Sequence, residues 1–201
     1  MGTTGDKVDG RTLRHQHRRP ELLAAAVDYV LEHGVAELTL RPMAQALGVS
    51  HATLLRHFGT KEALVAEVIS AIRLGVFETL AASTGDLSDV PVADSMRIVW
   101  RQLCEPKQRR QFVLLFEVVA IEARHPDRFG GLATLLISDF LSPIESELRA
   151  AGRSPDEARH IATGFLALVR GLQLDLAVTG DIDRVDAAMN RYIAAVTADS
   201  A

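Results

Sequence analysis

Ala44, Gly48, Val49 and Leu54 stand at the spacing with which two short helices pack across a tight turn. Ala44 faces the crossing helix, where a larger side chain would push the axes apart. Gly48, four residues on, permits the positive φ of the sharp turn. Val49 and Leu54, with Met43 and Leu47, plug the angle between the helices. The next segment, capped by Ser50, is thereby presented outward with its N-terminal half free to enter a major groove. The pattern by itself is shared by ordinary helical hairpins.

Residues for covalent chemistry are not arranged in this way anywhere along the chain. There is no Gly-rich phosphate loop, Ser/His/Asp arrangement, His-x3-His pair or CxxC, and Cys104 has no base near it in sequence. No enzyme and no cofactor are therefore expected. His15-x-His17 lacks converging ligands, so no metal site is expected either. The single cysteine excludes an internal disulfide and fits a reducing compartment. Residues 1–20 are polar and basic, which argues against a signal peptide, and Asp6 breaks the myristoylation pattern. The apolar run 112–121, interrupted by Glu117, is too short to span a bilayer. The expectation is a soluble, cytoplasmic protein with no membrane partner.

The elements that position these groups are all helical. Apolar residues Leu23, Ala26, Val27 and Val30 predict a first helix over 20–33, ended by Gly34. Thr39 is the expected N-cap of a second helix, with Pro42 in its first turn, and Ser50 opens a third that runs through 58. Further helices are predicted over 61–83, 92–104, 107–124, 132–151 (kinked at Pro143), 155–179 and 181–198. Ser154 and Glu157 have the spacing of a capping box. The fold class is all-α with about nine helices: a three-helix N-terminal bundle containing the helix-turn-helix, then a larger helical domain. The domains are a disordered basic arm over 1–18, a head over 19–60 and a body over 61–201. Residues 1–61 hold eight basic and six acidic residues, against 14 and 20 in the remainder, so a mildly basic head sits on an acidic body.

Within the body, the stretch 112–121 is apolar on nearly every side and must be central. Met96, Trp100, Leu103, Leu136, Phe140 and Phe165 either line an apolar cavity around it or are plain core. Glu117 is costly in such surroundings unless paired. It either anchors a polar ligand group or pairs with an arginine such as Arg170, the pair being favoured.

Residues 20–64 resemble the DNA-binding domain of the TetR family. That family's run is Thr-x3-Ile-Ala-x2-Leu-Gly-Val-Ser-x2-Thr-Leu-Tyr-x-His-Phe-x2-Lys-x2-Leu. Here it reads Thr39, Met43-Ala44, Leu47-Gly48-Val49-Ser50, Thr53-Leu54-Leu55, His57-Phe58, Lys61 and Leu64. Leu55 replaces the usual tyrosine, so the phosphate hydrogen bond that this tyrosine commonly makes is absent at that contact position. The resemblance implies phosphate contacts from Ser50, Thr53, His57 and Lys61. It places His51, Ala52 and Arg56 at base edges, with Arg41 able to reach guanine. Arg11, Arg14, Arg18 and Arg19, with His15 and His17, either reach the minor groove and phosphates or form a non-specific tail. It further implies a small-molecule effector, largely apolar, bound around Met96, Trp100, Leu103, Phe112, Phe116, Glu117, Leu136, Phe140 and Phe165. The last two helices would pair two copies, with Ile161, Leu168, Leu172, Leu176, Val185, Met189 and Ile193 on their apolar faces. The function so implied is a ligand-responsive, homodimeric repressor that binds double-stranded DNA at a palindromic operator.

Overall fold

The computed structural model describes residues 10–36, 38–85, 87, 89–126 and 128–198. Among them lie α1 (Gly10–His33), α2 (Leu40–Ala46), α3 (His51–Phe58), α4 (Lys61–Thr84), α5 (Val92–Leu103), α6 (Pro106–Arg124), α7 (Leu132–Ala150), α8 (Pro155–Thr179) and α9 (Ile182–Thr197). The chain divides into two compact units at Ala71/Ile72, inside α4. The boundary thus falls about three turns beyond Lys61: the leading half of α4 belongs to the head.

The first unit is built from α1 to α3 and that half-helix. Leu22, Ala26 and Val30 of α1, Met43 and Ala44 of α2, Leu54 and Phe58 of α3, and Leu64, Val65 and Val68 of α4 are buried. The α2–α3 turn closes as a Schellman motif: Gly48 N–H donates to the Gln45 carbonyl and Val49 N–H to that of Ala44. Gly48 sits at φ +66°. Thr39 is extended at the start of α2 but its side chain makes no capping bond. The first helix starts at Gly10 rather than near Pro20, so residues 10–18 are helical and not an irregular arm; residues 1–9 lie outside the described residues. Extending a formed helix needs no new nucleus, and Pro20 forfeits one ladder hydrogen bond within it.

In the second unit, Met96, Trp100 and Leu103 of α5 pack with Phe165, Val169 and Leu176 of α8 and Val185, Met189 and Ile193 of α9. Trp100 Nε1 donates to Asp186 Oδ1 at 2.5 Å, and Gln173 Nε2 donates to the Leu103 carbonyl at 2.8 Å. This arrangement corrects the expected pairing face. Leu176, Val185, Met189 and Ile193 belong to the unit's own core, with Ile161, Leu168 and Leu172 packed against it. The large apolar side chains of this region that face outward are Leu174, Val178 and Ile182. By length and composition α8 is apolar enough to cross a bilayer, which a scan for unbroken apolar runs passes over; one third of that stretch is buried.

Two carboxylates organise helix starts. Glu122, at the end of α6, accepts hydrogen bonds from the Gly131, Leu132 and Ala133 N–H groups that open α7. At α8, Ser154 and Glu157 form the expected capping box. Pro143 lies within α7.

Candidate nucleic-acid interface and effector cavity

The third helix is held by its ends. Ser50 Oγ accepts from Thr53 N–H at 3.1 Å, and the two hydroxyls are 2.9 Å apart. Gly59, at φ +80°, ends the helix. Leu54 and Phe58 point inward at 0% and 5% exposure. The opposite face must then point out: His51, Ala52 and Arg56 are exposed, while Thr53, Leu55 and His57 are half-buried. Ser50 and Arg41 are exposed as well. Lys61 is the first residue of α4, whose start is capped by Thr60 Oγ1 accepting from Ala63 N–H at 3.1 Å.

Electrostatics separates these cations from their neighbours. No aspartate or glutamate occurs between Leu38 and Lys61. Arg41, Arg56 and Lys61 enter no ion pair among the described residues. Arg19 behaves differently. Its guanidinium binds both oxygens of Glu67 at 2.7 Å, donates through Nε to the His57 carbonyl at 3.2 Å, and lies 5.1 Å from the Phe58 ring centroid. The structure therefore makes Arg19 a clasp joining α1, α3 and α4, which is neither of the two roles expected of it, a groove or phosphate contact and a non-specific tail. The side chains of Arg11, Arg14, His15 and His17 lie outside the described residues, and Arg18 is exposed.

The second unit contains a partly open cavity of about 90 Å³. Val76, Leu103, Phe112, Leu115, Phe116, Val119, Leu136 and Phe140 supply its apolar wall, and Gln108 and Arg170 its polar groups. Five of the side chains expected around a ligand, Leu103, Phe112, Phe116, Leu136 and Phe140, do meet here. Met96, Trp100 and Phe165 do not; they are consumed by the α5–α8–α9 core. Glu117 is half-buried and outside the lining, because on α6 it stands off the face carrying Gln108, Phe112, Leu115, Phe116 and Val119. Arg170 forms no ion pair among the described residues, so the favoured Glu117–Arg170 pair is not made. Burial holds the Arg170 guanidinium below its usual range. Gln108 was missed from sequence, although its i, i+4, i+8 relation to Phe112 and Phe116 puts it in the apolar stripe.

Cys104, near this region in sequence, is half-buried, and burial, reinforced by the Asp186 charge, pushes its thiol up to about 12, which disfavours the thiolate.

Comparison with known proteins agrees with the head. The family described as "Bacterial regulatory proteins, tetR family" matches residues 22–68. The HTH-type transcriptional regulator BetI of Pseudomonas aeruginosa is 27% identical over 177 residues, covering 86% of this chain and 88% of the relative. Among solved structures, a transcriptional regulator from Rhodococcus sp. Rha1 superposes with a TM-score of 0.75 at 20% identity, covering 90% of this chain and 96% of that one. The multidrug binding protein EbrR, solved with imidazole, gives a TM-score of 0.63 at 20% identity, covering 96% and 97%. At those identities the structural likeness speaks to the fold.

Proposed function

Because this chain belongs to the TetR family of DNA-binding transcriptional regulators, we propose that it acts in the cytoplasm as a homodimeric, ligand-responsive repressor on a palindromic operator. Its family and relatives are transcriptional regulators rather than enzymes. The observation that carries the reading is the outward face of α3. His51, Ala52 and Arg56 stand exposed on it, and the uncompensated cations Arg41 and Lys61 lie nearby in an acid-free stretch. Ser50, Thr53, His57 and Lys61 hold phosphates and fix register. His51, Ala52 and Arg56 meet base edges, and Arg41 takes guanine O6/N7. Leu55 contributes contact without a hydrogen bond.

Pairing of two copies uses the outer stripe of α8, where Thr163, Ala167, Gly171, Leu174 and Val178 follow one another at helical spacing and are exposed. A two-fold dimer then presents two recognition helices to a palindrome. The effector occupies the cavity of the second unit. Val76 of α4 lines it, and the same unbroken helix begins at Lys61, so α4 is the element through which occupancy alters the spacing of the heads. The ligand must bind the two spacings unequally for this to work.

Selection from a random duplex pool, followed by titration of the selected site at increasing salt, tests the proposal. A palindromic consensus and an affinity falling steeply with salt are expected. Arg56→Ala and Arg41→Ala should relax base preference at a cost of about 1–3 kcal/mol. Lys61→Ala should weaken all sequences alike and lower the salt slope by about 1. A flat salt response, or absence of any selected site, would sink the reading.

A further inference from the structure

We infer that the cavity of the second unit is built for an amphipathic carboxylate, its acid group held by Arg170 and Gln108 and its apolar body lying among Phe112, Phe116 and Phe140. The inference rests on the ligand-responsive reading above and names the chemistry of that ligand.

The polar contents of the cavity carry it. Every lining residue but two is apolar. Gln108 is 2% exposed, and neither its amide nitrogen nor its amide oxygen has a hydrogen-bond partner. A folded chain rarely tolerates a buried amide with both ends unsatisfied, so this group is kept for something other than packing. Arg170 is half-buried, lines the same cavity and forms no ion pair among the described residues. A guanidinium does not surrender its proton inside a protein, so partial burial leaves a real positive charge to be answered.

A ligand with one negative charge answers it. A carboxylate accepts two parallel N–H bonds from a guanidinium in the planar geometry that arginine favours, and the Gln108 NH₂ can donate to a remaining lone pair. A neutral ligand leaves the cation uncompensated, and a cationic one is repelled. A dianionic phosphate brings a second charge for which the lining has no partner. The rest of the wall, three phenylalanines with Leu115, Val119 and Leu136, removes an aliphatic or aromatic body from water.

Calorimetric titration of the full-length protein with octanoate, octanol and octylamine tests this, using wild type, Arg170→Gln and Gln108→Leu. In wild type, octanoate should bind at least about tenfold more tightly than octanol, with octylamine weakest. Arg170→Gln should remove about tenfold or more of the octanoate affinity while leaving octanol within about threefold, which also shows that the variant is folded. Gln108→Leu should shift the preference towards octanol. Octanol binding as tightly as octanoate, unchanged octanoate affinity in Arg170→Gln, or no binding of any of the three overturns the assignment. Operator release separates this from the parent reading. Octanoate that binds through Arg170 yet never changes operator affinity upholds the cavity chemistry and defeats ligand response; octanol that releases operator as well as octanoate does the reverse.

Discussion

Arg19 is paired with Glu67 and packed against Phe58, whereas Arg41 and Arg56 are exposed and enter no ion pair among the described residues. Composition counts these side chains alike; their neighbours divide the clasp from the unpaired cations. The same contrast holds among the acids. Glu122 is 5% exposed and takes 2.9 and 3.1 Å hydrogen bonds from the Gly131 and Leu132 N–H groups, besides one from Ala133. It supplies what the start of α7 lacks, an acceptor for unpaired N–H groups and a negative charge at the positive end of the helix. Glu122→Ala should therefore destabilise the second unit by about 2–4 kcal/mol in urea unfolding, since it strands buried donors. A loss below about 0.5 kcal/mol, the range of ordinary surface changes, would contradict that role.

At the scale of elements, the turn between α2 and α3 depends on one backbone conformation. A Cβ added to Gly48 would meet nothing within 4 Å, so the cost of Gly48→Ala comes from its φ of +66° alone. That cost is about 1–2 kcal/mol. The expected result is a lower melting point of the head and weaker DNA binding, with the oligomeric state unchanged. The two ends of α8 make a second case. Hydrogen bonds from Ser154 hold the Glu157 carboxyl below its usual 4.5. Those from Arg184 hold the Asp175 carboxyl below its usual 3.8. A carboxylate with a depressed folded-state pKa stabilises fully above its unfolded value and loses that contribution as the pH falls through the folded one. Both ends of α8 should thus fray only in acid, below the ordinary carboxylate range. Amide hydrogen exchange along α8 as a function of pH would detect this, and protection at Asp175 and Glu157 that is independent of pH in that window would refute it. Both groups lie at the surface, so the effect is local rather than global.

For the whole molecule, the proposed assembly rests on a face that the single chain leaves uncovered. Val178 is 81% exposed and Leu174 39%. Val178→Glu and Leu174→Glu place charge on that face without touching the core. Sedimentation should find the double variant monomeric, with its operator affinity reduced by about tenfold or more, on the order of the loss of one half-site's contribution, and with helical content unchanged. A variant that remains dimeric would move the interface elsewhere.

Local periodicity and capping determined the helices, and the turn at Gly48 was legible because a positive φ and a close helix crossing each demand a particular residue type. The outward face of the head's third helix was legible for the same reason: His51, Ala52 and Arg56 lie within one short segment, so sequence neighbours are spatial neighbours. Where helices met was decided only by the tertiary structure. An apolar stripe on α8 or α9 reads the same whether it faces its own core or a second copy, and Leu176, Val185, Met189 and Ile193, expected on the faces that pair two copies, lie in the unit's own core. Met96 and Phe165 likewise went to packing, and Gln108 and Arg170, far apart in sequence, came to line one cavity. A helix reports its own faces through a period of 3.6 residues, but its partners are chosen by the packing of distant segments, which no local pattern encodes.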